Sequence, residues 1–250
     1  MQKKILEVCA GSYADCLAAT QGRADRVELN SALFLGGLTP SVAVCKLVKT
    51  NTPLEVIAMC RPRAGGFHYD EAETQSMFAE AKALLEVGVD GIAFGFLKTD
   101  RTIDQEKTKA MIELIHRYQA KAVFHRAFDV TPDLEEATKT LIALQADRIL
   151  TSGGQATAIQ GVETIAALQK AFQDQIEILP GSGLSADNVE WLIEQTGVNQ
   201  VHSSCKGYKS DPTTSNGLVS YAYLPNQPLE YEGVEEQKVK ALRQALDKIQ

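Results

Sequence analysis

Apolar and polar positions fall into short runs that alternate along the chain with longer stretches of helical period. The short runs, Lys4–Cys9, Arg26–Asn30, Leu54–Met59, Gly91–Phe96, Ala122–His125, Arg148–Thr151, Ile176–Leu179 and Gln200–His202, read as eight strands. Between them Glu73–Val87, Asp104–Tyr118, Leu134–Leu144 and Ala156–Phe172 repeat apolar residues at helical spacing. A small cassette introduces several strands: Ala24-Asp25-Arg26, Val89-Asp90-Gly91 and Ala146-Asp147-Arg148. It is turn chemistry recurring at the period of a strand–helix unit. Eight such units predict a single-domain (β/α)8 barrel. The doubly wound open sheet is the competitor, but the first turn, Cys9-Ala10-Gly11-Ser12, lacks the glycine fingerprint of that fold.

The pattern changes after residue 205. Residues 206–233 are rich in Ser, Thr, Pro, Asn, Gly and Tyr and show no period. They read as an excursion between strand eight and a closing helix over 234–250, with the barrel proper over 1–205 and one domain over 1–250. Tyr208, Tyr221, Tyr223 and Tyr231 suggest packing over the barrel mouth or against a neighbouring subunit, hence a homo-oligomer.

Composition narrows the partners. The 250-residue chain carries 25 Lys+Arg against 32 Asp+Glu, a net charge of −7, which argues against nucleic acid and anionic membrane as partners. No apolar run is long enough for a bilayer, and the N-terminus reaches Glu7 too early for a signal peptide, so a cytoplasmic location is expected. Five scattered cysteines, none in a CxxC pair, argue against a disulfide framework or a zinc knuckle.

The candidate chemistry gathers where strands end, the face on which barrel sites are built. Glu7 and Glu28 have apolar neighbours on both sides and should point into the barrel, either paired with Arg26 or Arg61 or tuned as acid and base. Arg61-Pro62-Arg63 presents two guanidinium forks suited to carboxylate or phosphate. His125, beside Arg126 and Asp129, is the acid–base candidate of strand five, and His202 ends strand eight. Small residues after strands six to eight (Ser152, Gly153, Gly181, Ser182, Gly183, Ser203 and Ser204) suggest backbone N–H groups for an anion, with tight turns as the plainer explanation. Cys9 and Cys60 lie at strand ends near Met59 and are the candidate soft ligands for Cu(I), although a free cysteine is also simply a small buried hydrophobe.

At these residues the chain resembles the CutC copper-homeostasis family. The shared motifs are Leu6-Glu7-Val8-Cys9, Ala24-Asp25-Arg26-Val27-Glu28-Leu29, Gly36-Gly37-Leu38-Thr39-Pro40-Ser41, Arg61-Pro62-Arg63, Phe124-His125-Arg126-Ala127-Phe128-Asp129, Leu150-Thr151-Ser152-Gly153 and Val201-His202-Ser203-Ser204. The resemblance implies a TIM barrel, a cytoplasmic location and a proposed role in binding Cu(I). The chain departs from the family in having Asn30 where a cysteine is usual, and asparagine is a poor Cu(I) ligand. The arginine loop also differs, with Ala64 for a glycine and Gly66 for a polar residue.

Two functions therefore stand side by side. One is copper handling through Cys9 and Cys60. The other is an enzyme on a small anionic metabolite, such as a sugar or sugar phosphate, with His125 and Glu7 or Glu28 as acid and base and with Asp129 and His202 also in its catalytic set. Arg61 and Arg63 would clamp the anion in that reading.

Overall fold

Parity along each strand decides which side chains enter the barrel and which face the helices. A computed structural model of the chain describes residues 3–224, 226 and 228–249. Eight parallel strands, β1 (Ile5–Ala10), β2 (Arg26–Leu29), β3 (Glu55–Met59), β4 (Gly91–Phe94), β5 (Lys121–Phe124), β6 (Arg148–Thr151), β7 (Glu177–Pro180) and β8 (Gln200–Ser203), pair in the order β7-β6-β5-β4-β3-β2-β1-β8. Outside them run α1 (Tyr13–Gln21), α2 (Val42–Asn51), α3 (Glu71–Glu86), α4 (Gln105–Arg117), α5 (Leu134–Ala143), α6 (Val162–Phe172), α7 (Val189–Thr196) and α8 (Glu236–Lys248). This is the (β/α)8 barrel expected from the alternation.

The ring closes where β7 meets β8, and that seam carries no ladder. The Gly181 N–H donates to the Thr151 carbonyl of β6, so one residue earlier the N–H would face β8. That residue is Pro180, which has no N–H to give.

The cassette aspartates do more than turn the chain. Each caps the preceding odd strand with a side-chain oxygen: Asp25 accepts from the Leu6 N–H, Asp90 from Val56 and Asp147 from Ala122, at 2.8, 2.7 and 2.8 Å. The backbone carbonyl of each accepts from the following odd strand, at Glu55, Lys121 and Glu177. One residue thus joins three strands at the N-terminal end of the barrel. Cations and one imidazole complete the arrangement: Arg243 and Lys3 on Asp25, Lys49 on Asp90, Lys121 and the His116 ring on Asp147.

The barrel interior is divided. Ile57, Met59, Ala93 and Val123 form a small apolar cluster on the β3–β5 side. Opposite them lies a polar chain, buried except at Glu177. Arg26 pairs with Glu7 through Nε and donates to Gln200 at 2.8 Å. Gln200 donates to Glu177 at 3.2 Å, and Glu177 accepts from Arg148 at 2.6 Å.

Two segments differ from the sequence reading. Helix α6 begins at Val162, six residues later than the period suggests, because Gly161 packs against the β6 loop. A Cβ there would lie 2.0 Å from the Ser152 carbonyl oxygen. The excursion contains an antiparallel hairpin, β9 (Lys206–Ser210) with β10 (Glu230–Val234). The buried carboxylate of Asp15 at the start of α1 pins it by accepting from the Val234 N–H at 2.8 Å. The strands are short, polar and half exposed, so no apolar alternation marks them.

Two outcomes follow from these contacts. Arg26→Ala strands the Glu7 charge in the interior and should destabilise by about 3–5 kcal/mol in urea unfolding. Asp147→Ala removes a charge-assisted cap and should cost about 1–3 kcal/mol near neutral pH. Burial works against the Asp147 charge, but the Ala122 N–H, His116 and Lys121 hold its folded pKa below the ordinary aspartate value of 3.8. Its contribution is therefore present above pH 3.8 and is lost as pH falls through the folded value. Urea titrations of parent and variant should accordingly converge in acid; a gap unchanged in acid would remove the ionised carboxylate from the account.

Candidate functional site

Inward-facing residues at the C-terminal ends of the strands meet in one mouth. Glu7 and Cys9 come from β1, Glu28 and then Asn30 from β2, His202 from β8, and His125 and Arg61 from the ends of β5 and β3. Register places Cys9 beside Glu28 and Glu7 beside His202. Glycines make room for both imidazoles. A Cβ on Gly95 would sit 2.6 Å from the His125 ring, and one on Gly181 3.2 Å from that of His202. A glycine at a strand end signals such a close approach, and Gly95 is a site residue that the sequence reading passed over.

The two glutamates separate in charge and partner. Burial opposes ionisation of Glu7, but Arg26 and the hydrogen bond with His202 hold its carboxyl well below the usual range. It is the counter-ion of the barrel interior. Glu28 has no guanidinium beside it. Burial pushes its carboxyl up, His202 pulls it down and the nearby Glu7 charge adds to the rise. Asn30 donates to a Glu28 carboxyl oxygen at 3.0 Å, and the Cys9 thiol stands 3.8 Å from the same oxygen.

His202 is held on the other side of that balance. Burial alone would lower its pKa; contact with Cys9, the Glu7 oxygen 2.7 Å from Nδ1 and the charge of Glu28 raise it well above its ordinary value. Burial raises the Cys9 thiol. A carboxyl pushed up next to an imidazole pushed up is a pair that can give and take one proton.

His125 behaves differently. Burial, reinforced by the positive charge of Arg61, drives its pKa down to about 3, so the ring is neutral at physiological pH. The Ala127 N–H donates to Nδ1 at 3.2 Å, and Phe67 packs on the ring.

Arg61 is buried and carries no acid partner within 4.0 Å among the described residues. Its guanidinium donates to three loop carbonyls, Leu35 and Gly37 at 3.1 Å and Gly65 at 2.7 Å. It therefore ties the β2 and β3 loops together while its charge stays uncompensated.

Other expected site residues lie elsewhere. Arg63 pairs with Glu73 of α3 and lies over Tyr69, away from the mouth. Cys60 has the opposite parity to Met59; its thiol donates to the Met77 carbonyl of α3 at 3.2 Å, far from any partnership with Cys9. The anion nest expected after β6 exists, and the chain fills it. Asp129 accepts from the Ser152 and Gly154 N–H groups, both near 3 Å, and from Thr151 Oγ1 at 2.5 Å, Ser152 Oγ at 3.0 Å and Arg126 Nε at 2.7 Å. Asp129 is thus an internal anion that orders the β5 and β6 loops, and Gly153 turns beneath it at φ +70°. Ser203 faces outward and donates to the Leu184 carbonyl at 2.6 Å. With Gly183 and Ser204 it lines a side cavity of about 430 Å³ whose Lys206 and Lys238 are paired with Glu232 and Glu235. Ser182 donates to the Ala156 carbonyl. In the excursion, Tyr223 packs edge-on to Phe34, while Tyr208, Tyr221 and Tyr231 are exposed.

Cys9, Glu28 and His202 also present ligand atoms that all lie within 4.8 Å of one another. The set holds one sulfur. Asn30 turns an N–H toward that sulfur at 3.6 Å and supplies no second thiolate. A sulfur, an imidazole nitrogen and a carboxyl oxygen suit a borderline cation better than soft Cu(I), so the residues present do not fit Cu(I).

Residues 4–207 match the CutC family. A CutC family protein of Treponema denticola is 44% identical over 235 residues, covering 92% of this chain and 95% of the relative. One from Xanthomonas campestris is 36% identical over 241 residues, covering 96% of this chain and 98% of the relative. Among solved structures, CutC of Streptococcus agalactiae, whose name refers to copper homeostasis, superposes with a TM-score of 0.76 at 31% identity, covering 80% of this chain and 98% of that one. The sequence relatives span nearly the whole barrel, and the chain belongs to the CutC family.

Proposed function

We propose that this CutC-family barrel is an enzyme that binds a small anionic metabolite in its mouth and moves a proton on it with Glu28 and His202. The observation that carries the reading is Arg61. A guanidinium that is 6% exposed and, among the described residues, hydrogen-bonded only to neutral carbonyls calls for an anion. Glu28 stands in the same mouth on β2, its carboxyl pushed up by burial. His202 stands beside it as a cation steadied by Glu7. When it carries the proton of the pair, Glu28 can give it to a substrate oxygen or carbon and recover one through His202. Five free cysteines support a reducing, cytoplasmic setting.

Copper handling is the second reading. It is favoured by the clustering of Cys9, Glu28 and His202 and by the copper name attached to the family's solved structure. The single sulfur weighs against it. With copper as cargo, Cys9 would be its soft ligand.

Inorganic phosphate at matched ionic strength should raise the melting temperature of the parent and of Arg61→Lys, which keeps the charge, by a margin that grows with concentration. Arg61→Gln should lose that response. An equal response in Arg61→Gln removes Arg61 as the anion's partner. Glu28→Gln keeps the shape of a carboxyl that burial already disfavours as a charge, so its stability should stay within about 1 kcal/mol of the parent while turnover disappears. A Glu28→Gln protein as unstable as Glu7→Gln, which should lose about 3–5 kcal/mol, would make Glu28 structural instead. Competition with a Cu(I) chelator separates the second reading. Weak Cu(I) binding unchanged by Cys9→Ser is expected; tight binding abolished by that change would restore copper as the ligand.

A further inference from the structure

Besides Arg61 Nε and Tyr69 Oη, two buried polar atoms on the β2–β5 side of the mouth have no partner among the described residues and take no part in the Glu28–His202 pair. They are Asn30 Oδ1 and His125 Nε2. Their residues are 2% and 3% exposed. Native proteins rarely leave such atoms unpaired unless water or a ligand completes them.

Neighbours determine what each atom can do. Asn30 Nδ2 donates to the Glu28 backbone carbonyl at 3.1 Å, and a carbonyl only accepts, so the free end of the amide is its oxygen. The Ala127 N–H occupies Nδ1 of His125, so the ring proton resides on Nε2. One atom is thus an obligatory acceptor and the other an obligatory donor. His125 also stays neutral, burial and Arg61 having taken its pKa to about 3, which makes it a poor base and a constant donor.

The two atoms belong to one rim. Gly37 stands against Asn30, and a Cβ on it would fall 2.3 Å from Oδ1. The Gly37 carbonyl accepts from Arg61. The Arg61 guanidinium carbon lies 5.2 Å from the centroid of the Phe67 ring, and that ring is 5.0 Å from the His125 ring. Acceptor, cation and donor therefore follow one another around the mouth.

We propose that this rim reads the uncharged, hydroxylated part of the anion: His125 Nε2–H donates to a carbonyl or hydroxyl oxygen, and Asn30 Oδ1 accepts from a hydroxyl. The proposal rests on the reading of Arg61 as the anion's partner and narrows the substrate class to polyhydroxylated anions such as sugar phosphates. His125 then binds and polarises an oxygen, as a neutral imidazole can, and leaves proton transfer to Glu28 and His202. Asn30, in place of a cysteine, exchanges a soft ligand for a hydrogen-bond acceptor.

D-ribose 5-phosphate and inorganic phosphate, compared at matched ionic strength, test the assignment. Ribose 5-phosphate should bind the parent about tenfold more tightly than phosphate, read as a larger rise in melting temperature. His125→Leu and Asn30→Leu should reduce it to the level of phosphate, while His125→Gln, which keeps an N–H at the position of Nε2, should preserve the difference. In histidine-labelled parent protein, two-bond proton–nitrogen spectra should show His125 as the Nε2–H tautomer, without titration from about pH 5 to about pH 9, and its Nε2–H should shift when ribose 5-phosphate is added. Equal stabilisation of the parent by the two ligands overturns this proposal alone. So does a His125 that titrates in that range, carries its proton on Nδ1 or ignores a ligand that stabilises the protein. Stabilisation by neither ligand overturns the Arg61 reading and this proposal with it.

Discussion

The buried pair of Arg26 and Glu7 is the constraint around which the barrel is arranged. A dry interior tolerates a charge only with its counter-charge and enough hydrogen bonds to replace water. Arg26 supplies one charge from β2 and Glu7 the other from β1. The remaining donors and acceptors pass the requirement on to Gln200, Glu177 and Arg148, so that β2, β1, β8, β7 and β6 share one polar chain. The β7–β8 seam has no ladder, and the Gln200–Glu177 hydrogen bond ties it from inside. The opposite half can be apolar because this half has absorbed the charge.

That division also determines the character of the mouth. Glu7 uses one oxygen on Arg26 and offers the other to His202, which keeps His202 positive. Glu28, one strand away and without an arginine, stays reluctant to ionise. The charge left over is that of Arg61, surrounded by carbonyls. Positive charge, a carboxyl pushed up by burial and unpaired hydrogen-bonding atoms suit a small oxygen-rich anion. Soft-metal binding would ask for a second sulfur where Asn30 stands.

Some charged groups serve the scaffold. Asp25, Asp90 and Asp147 lock strand triplets at the N-terminal face, where barrel residues act on stability. Asp129 closes the nest after β6 by accepting from its backbone N–H groups. The glycines and serines there were readable as an anion site, and they are one; the anion is a side chain of the protein.

The order of strands, the cassette aspartates, the inward direction of Glu7 and Glu28 and the clustering of chemistry at one end were legible in the amino-acid pattern. Periodicity and turn chemistry are local, and a barrel converts them directly into position. Whether Cys60 joins Cys9 was not legible: both end strands, but parity turns Cys60 to α3 while Cys9 looks inward. Nor was the split between Glu7 and Glu28, which look alike in the chain and differ by whether a guanidinium lies within reach. His125 reads as an acid–base residue beside Arg126 and Asp129, yet burial and Arg61, sixty-four positions earlier, keep it neutral. Residue type and spacing determine where a side chain stands in its own strand; its charge and partners depend on the neighbours that closure of the ring brings beside it.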